Sequence, residues 1–187
     1  MRMQRASILF FLSLVLITPS VPAASKASGP LSMACSTQKK ILVVRMGGTD
    51  VKTYTVAVGT KVKPTPMGRF SVRHIVWNPG WVPPDEKWAK GKKPAKPGDP
   101  KNPMKVVKIF FQEPDYYIHG TDDEDSLGGR ASHGCIRMSE SDVAELAKYL
   151  MEHNGAKQSS DWYQKVISGG ATADVKLPQA VPFVIGR

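Results

Sequence analysis

Apolar residues along this chain fall mostly into short runs divided by glycine- and proline-rich turns, the pattern of a β-rich domain. Ile41 to Met46 and Val51 to Val58 are rich in β-branched residues, and Gly47-Gly48-Thr49-Asp50 between them predicts a hairpin. Phe70 to Trp77 and Met104 to Phe111 read as further strands; Val106, Val107, Ile109, Phe110 and Phe111 mark the second as buried. Tyr116-Tyr117-Ile118 predicts a short strand ending at His119, and Val181 to Ile185 a last one. One segment has firm helical spacing. Ser139-Glu140-Ser141-Asp142 supplies a cap with acids in the first turn, and Val143, Leu146, Ala147, Leu150 and Met151 recur along one face before Asn154-Gly155. Trp162 to Ile167 fits a short second helix.

The intervening segments differ from one another. Residues 24–38 are small and polar without periodicity and read as a flexible lead-in. Residues 78–103 are dominated by Pro, Gly and Lys, and so long a stretch without periodicity inside a compact domain is functional or disordered. The expectation is a single mostly β domain over residues 39–187, with one principal helix and no internal repeat.

Arg2 and Arg5 precede an apolar run from Ile8 to Ile17, and Val21-Pro22-Ala23 offers small residues for cleavage, so residues 1–23 read as a secretory signal. That run is short for a bilayer span, and no second apolar stretch approaches spanning length, so no stable membrane insertion is expected after processing. The formal charge is +10, or +8 once Arg2 and Arg5 leave with the signal. Lys87, Lys90, Lys92, Lys93, Lys96 and Lys101 crowd the 78–103 segment, but aromatics are not regularly interleaved and no nucleic-acid motif is present. An anionic cell wall suits the charge and the export signal better than nucleic acid does; a solvated loop would look the same.

The chemistry concentrates in Ser132-His133-Gly134-Cys135-Ile136-Arg137 and in Ile118-His119-Gly120-Thr121 upstream. A thiol attacks carbonyls as thiolate, and a free cysteine with a pKa of about 8.5 needs a nearby base or cation at neutral pH. His133, two residues from Cys135 on an extended segment, is poorly placed for a direct side-chain bond. A residue directly opposite on a neighbouring strand is better placed, which favours His119 as the base. His133 is then a supporting or substrate-facing group. Gly134 leaves room for a substrate carbonyl and backbone N–H groups for an oxyanion. A zinc site from His119, His133 and Cys135 is disfavoured because His133 and Cys135 are too close in sequence to share a metal easily, and no cofactor is called for. Cys35 lies too far past the apolar run, with Leu31 four residues before it, to be a lipidation site. A bridge to Cys135 would extinguish the nucleophile, so Cys35 reads as near-terminal and dispensable.

These motifs resemble the signature of the L,D-transpeptidases, the YkuD-type cysteine enzymes of bacterial peptidoglycan. His-Gly-Thr, the Ser126-Leu127-Gly128 turn and Ser-His-Gly-Cys-Ile-Arg stand in that family's order, with twelve residues between His119 and Ser132. Thr65-Pro66-Met67-Gly68-Arg69-Phe70 and Asn78-Pro79-Gly80-Trp81 resemble two further family segments, and the likeness covers roughly residues 39–186. It implies a β-sandwich or flattened barrel, with 78–103 covering the active site. It implies Cys135 as nucleophile, His119 as proton acceptor and donor, and the Gly120 carbonyl orienting His119. His133 and Arg137 would complete the site. Arg137 could grip a substrate carboxylate or pair with Asp142 or another neighbour; Ser132 and Trp81 are further candidates to meet substrate. Peptide stems of peptidoglycan would be the donor, with a second stem, a wall-anchored protein or water as acceptor; an idle cationic wall-binding protein is the reading from another class. Lys105 stands where many relatives have glycine, and Arg137 where some have asparagine.

Overall fold

The computed structural model describes residues 28–187. Residues 1–23, read above as a secretory signal, lie outside the described residues. Among those described, no helix is long and apolar enough to cross a membrane.

In chain order the strands are β1 (Leu31–Ser36), β2 (Ile41–Met46), β3 (Thr49–Thr55), β4 (Val58–Gly59), β5 (Gly68–Trp77), β6 (Val107–Gln112), β7 (Tyr116–Gly120), β8 (Arg130–Ser132), β9 (Ile136–Met138) and β10 (Ala173–Gly186). Helices α1 (Glu140–Glu152) and α2 (Ser160–Ser168) lie between β9 and β10. Eight strands form one sheet in the order β3-β2-β1-β10-β5-β6-β7-β9, and β4 pairs with β8. The sheet curls until its far edge returns on itself: Ala57, just beyond β3, exchanges backbone hydrogen bonds of 2.9 and 2.8 Å with Arg137 of β9. The result is a nearly closed barrel, the mostly β architecture expected, with its interior filled by alternate residues of each strand.

Helix α1 begins where its cap predicts, Ser139 Oγ accepting from the Asp142 N–H at 3.1 Å. Val143, Leu146, Ala147, Leu150 and Met151 are buried beside Ile118, Ile136 and Met138. This stripe backs β7, the strand that carries His119, and its neighbour β6. Leu146 is fully buried, so Leu146→Ala is expected to cost about 2–5 kcal/mol in chemical denaturation. Trp77 joins the same core, its indole N–H 3.2 Å from Met151 Sδ.

The structure overturns the flexible lead-in from Leu31 onward. Residues 31–36 form β1, an interior strand antiparallel to β2 and parallel to β10. Leu31, Met33 and Cys35 alternate inward with Ser32, Ala34 and Ser36. Cys35 is therefore a buried core residue, 3% exposed, whose thiol burial pushes up to about 12, and it is a free thiol. β10 is also far longer than Val181 to Ile185; it pairs with β5 from Ala173 on, with an irregularity between Lys176 and Val181 where Pro178 interrupts.

Candidate active site

One face of the sheet carries the motif residues. β7 and β9 are parallel, with Ile118 paired to Ile136 and His119 to Arg137. Ile118 and Ile136 point to the core, which sends Tyr117, His119, Cys135 and Arg137 to the other face. His119 is thus opposite Arg137 and diagonal to Cys135, a difference from the directly opposite placement expected. Its ring is 5% exposed, and Nδ1 donates to the Gly120 carbonyl at 2.6 Å. That bond fixes the tautomer with the lone pair on Nε2. Gly120 has no room for a side chain, since a Cβ there would lie 2.7 Å from Lys105 Cβ. Lys105 itself sits in the left-handed region at φ +51°, which accounts for glycine suiting that position.

Above these groups lies a cleft of about 660 Å³ whose lining includes His119, His133 and Cys135. The 78–103 segment forms one wall. Buried Asn78 donates to the Ala171 carbonyl at 3.2 Å, and buried Asn102 to the Pro79 carbonyl at 2.6 Å, so both ends of the segment are pinned. Trp81 and Ala95 exchange backbone hydrogen bonds of 2.9 Å, and Trp81 is largely buried at the base of the wall while still lining the cleft. The Trp88 ring stacks on His133 with centroids 4.1 Å apart and planes at 14°. His133 therefore joins the covering segment to the cysteine loop. Burial, then Arg137 and Lys92, lower its pKa.

The loop before Cys135 is tied by Ser132. Its buried hydroxyl donates to the Cys135 carbonyl and accepts from the Gly134 N–H at 3.2 Å. Ser132 thus shapes the loop, and the Gly134 amide is turned toward it, contrary to its expected role as an oxyanion donor. Gly134 has φ +118°, and a Cβ would meet the Tyr116 ring at 2.7 Å, so glycine is required there. The donors beside the sulfur are instead the main-chain N–H and hydroxyl of Tyr117, both favouring its anion. Sequence reasoning missed Tyr117; its signal is the two-residue spacing from His119, which gives both residues one face of β7.

Electrostatics set the resting state. Burial pushes the Cys135 thiol up to about 11, against the opposing pull of the Tyr117 N–H, Lys108 and Arg137. The thiol donates to the Asp115 carbonyl at 3.4 Å. Burial, and next the Arg137 charge, push His119 down to about 4. At neutral pH the site therefore rests with a protonated thiol and a neutral imidazole. Arg137 pairs with Asp123 and not with Asp142, its Nη1 3.7 Å from Asp123 Oδ2. Asp122 similarly reaches Lys105 at 3.8 Å, so both acids of Asp122-Asp123 line the cleft. The other histidines lie elsewhere, His74 between Glu113 and Asp174, and His153 stacked on Tyr149. Among the described residues, no group of three or more His, Cys, Asp or Glu is arranged to hold a metal ion.

A buried imidazole and a thiol on the floor of one covered cleft, carried by a curled sheet with a helix behind it, define a β-rich thiol protein of the L,D-transpeptidase fold class. Residues 33–170 match the family model of the L,D-transpeptidase catalytic domain, YkuD, and the chain belongs to that family. It is 31% identical over 121 residues to the protein of Bacillus subtilis named as L,D-transpeptidase YkuD, covering 65% of this chain and 61% of that one. It is 33% identical over 114 residues to the Salmonella typhimurium protein named ErfK/SrfK, covering 57% and 35%. The chain thus spans about three fifths or less of these relatives. The catalytic domain of the Enterococcus faecium L,D-transpeptidase has the same fold, with TM-score 0.51 at 16% identity over 83% of this chain and 95% of that one.

Proposed function

We propose that this chain is an exported L,D-transpeptidase acting on peptidoglycan peptide stems. The observation that carries this reading is that Cys135 and a buried, neutral imidazole line one cleft from adjacent strands, the imidazole's Nδ1 committed to the Gly120 carbonyl. With burial holding the thiol pKa well above neutrality, little of the sulfur is ionised at neutral pH, so attack needs a base. His119 takes the thiol proton as Sγ attacks the carbonyl joining an L-centre to the terminal D-amino acid. Proton transfer accompanies attack, because burial disfavours a free thiolate–imidazolium pair. Tyr117 donors stabilise the oxyanion. The C–N bond breaks, the departing nitrogen takes the proton back from His119, and a thioester remains on Cys135. An amine from a second stem or a wall-anchored protein, deprotonated by the same imidazole, then resolves it. Water in that role would make the enzyme an L,D-carboxypeptidase. The leader-like start of the sequence and the basic surface favour export to the periplasm or cell envelope.

Incubation with purified muropeptides tests the reading. Release of the terminal D-amino acid with cross-linked dimers is expected; shortened stems without dimers would reject transpeptidation, and unaltered muropeptides would reject the activity. A carbapenem is expected to add to Cys135 in intact-mass spectrometry. No adduct on the wild type, or the same adduct on Cys135→Ala, would favour the idle wall-binding protein instead.

A further inference from the structure

Three cations line the cleft: Lys92, Lys108 and Arg137. Arg137 faces Asp123, and Lys92 lies on the exposed covering segment over the Trp88 ring at 5.1 Å. Lys108 is different. It interrupts the otherwise apolar run Val106 to Phe111, on the floor of the cleft, and is half-buried. Its ammonium meets the Gly80 carbonyl at 3.3 Å and lies 4.9 Å from the Tyr117 ring centroid. Among the described residues no carboxylate pairs with it. Withdrawing an ammonium from water without an anion is costly, and apolar residues fill the neighbouring positions of this strand at no such cost. Burial weakens its hold on a proton, and an anion placed beside it would strengthen that hold again.

The sheet register says which anion would reach it. Lys108 of β6 pairs with His119 of β7, which pairs with Arg137 of β9, and Cys135 lies two residues earlier on the same face. Sulfur, imidazole and ammonium therefore lie on three adjacent strands, the first step diagonal and the second directly across at the strand spacing of about 4.8 Å. In the donor, the α-carboxylate is attached to the carbon bearing the departing nitrogen. With the scissile carbonyl at the sulfur and that nitrogen at the imidazole, the carboxylate falls over the next strand, at Lys108. We propose that Lys108 binds the α-carboxylate of the departing D-amino acid and thereby selects donor stems whose scissile residue is C-terminal. This rests on the donor-stem reading above.

The test compares a tetrapeptide stem as free acid with its C-terminal carboxamide, at fixed acceptor, in the wild type, Lys108→Met and Lys108→Arg. One charge-assisted contact predicts an acid-over-amide preference in kcat/KM of about 10- to 100-fold for the wild type. The preference collapses toward one in Lys108→Met and persists in Lys108→Arg. Lys108→Gln, similar in length but uncharged, is the second neutral variant should Lys108→Met not fold, and it too loses the preference. An unchanged preference in the neutral variants, or a wild type that turns over both donors equally, overturns the role of Lys108 while leaving the transpeptidase reading intact. A wild type that turns over neither donor rejects both.

Discussion

Cys135→Ala is expected to lower acyl transfer from a donor stem by at least about 10⁴-fold while the protein keeps its fold. The size of the effect follows from where the sulfur sits. No other thiol can substitute, because Cys35 is sealed in the core between β2 and β10, its proton held to about 12. The fold should tolerate the change, since the one hydrogen bond that the Cys135 thiol donates, to the Asp115 carbonyl, is long. Ser132 and the left-handed Gly134 hold the loop without it. Melting temperature alongside product release makes the comparison. An alanine variant with wild-type turnover would remove Cys135 from the chemistry, and one that loses turnover only through unfolding would leave the assignment without support.

His119→Gln should reduce kcat/KM at neutral pH by about 10²- to 10⁴-fold, and the shape of its pH profile says more than the loss itself. In the wild type the imidazole must be unprotonated to act. A folded pKa lowered to about 4 means that kcat/KM rises as pH climbs through about 4 and then stays level through neutrality. With glutamine in place of the imidazole, the sulfur reacts only when it ionises by itself. Residual activity should then climb with pH, about tenfold per unit, toward the thiol pKa near 11. The two profiles converge in alkali. A variant whose activity stayed flat with pH would mean that another group takes the thiol proton. A wild type whose activity rose only above about 6.5 would mean that the imidazole is not held in a dry pocket.

The parts of the fold carried by strong local patterns were legible in the sequence, among them the β2–β3 hairpin, the capped helix α1 and the short helix α2. β1 was not, because serine, alanine and cysteine at positions 32, 34, 35 and 36 disguise an alternation that only Leu31 and Met33 announce. The early part of β10 was hidden in the same way by Lys176, Pro178 and Gln179. At the site, the motif named Cys135 and His119, and the Gly120 carbonyl proved to hold the imidazole as the resemblance implied. What the motif could not convey is whatever depends on strand register and burial. Parallel pairing of β7 with β9 sets His119 diagonal to Cys135, brings Tyr117 beside the sulfur and puts Lys108 beside the imidazole. Burial keeps the thiol protonated. His133, Ser132 and Trp81 stand in the cleft wall as foreseen, but the first meets Trp88, the second its own loop and the third the base of the covering segment.

Intact-mass spectrometry of the protein mixed with a tetrapeptide stem and no acceptor bears most directly on the proposed chemistry. The expected product is a protein heavier by the mass of the stem less that of the released D-amino acid, with the addition mapped to Cys135 and absent from Cys135→Ala. Loss of the D-amino acid in step with stem shortening but with no thioester formed, or an adduct carried by any other residue, would contradict acyl transfer through this cysteine.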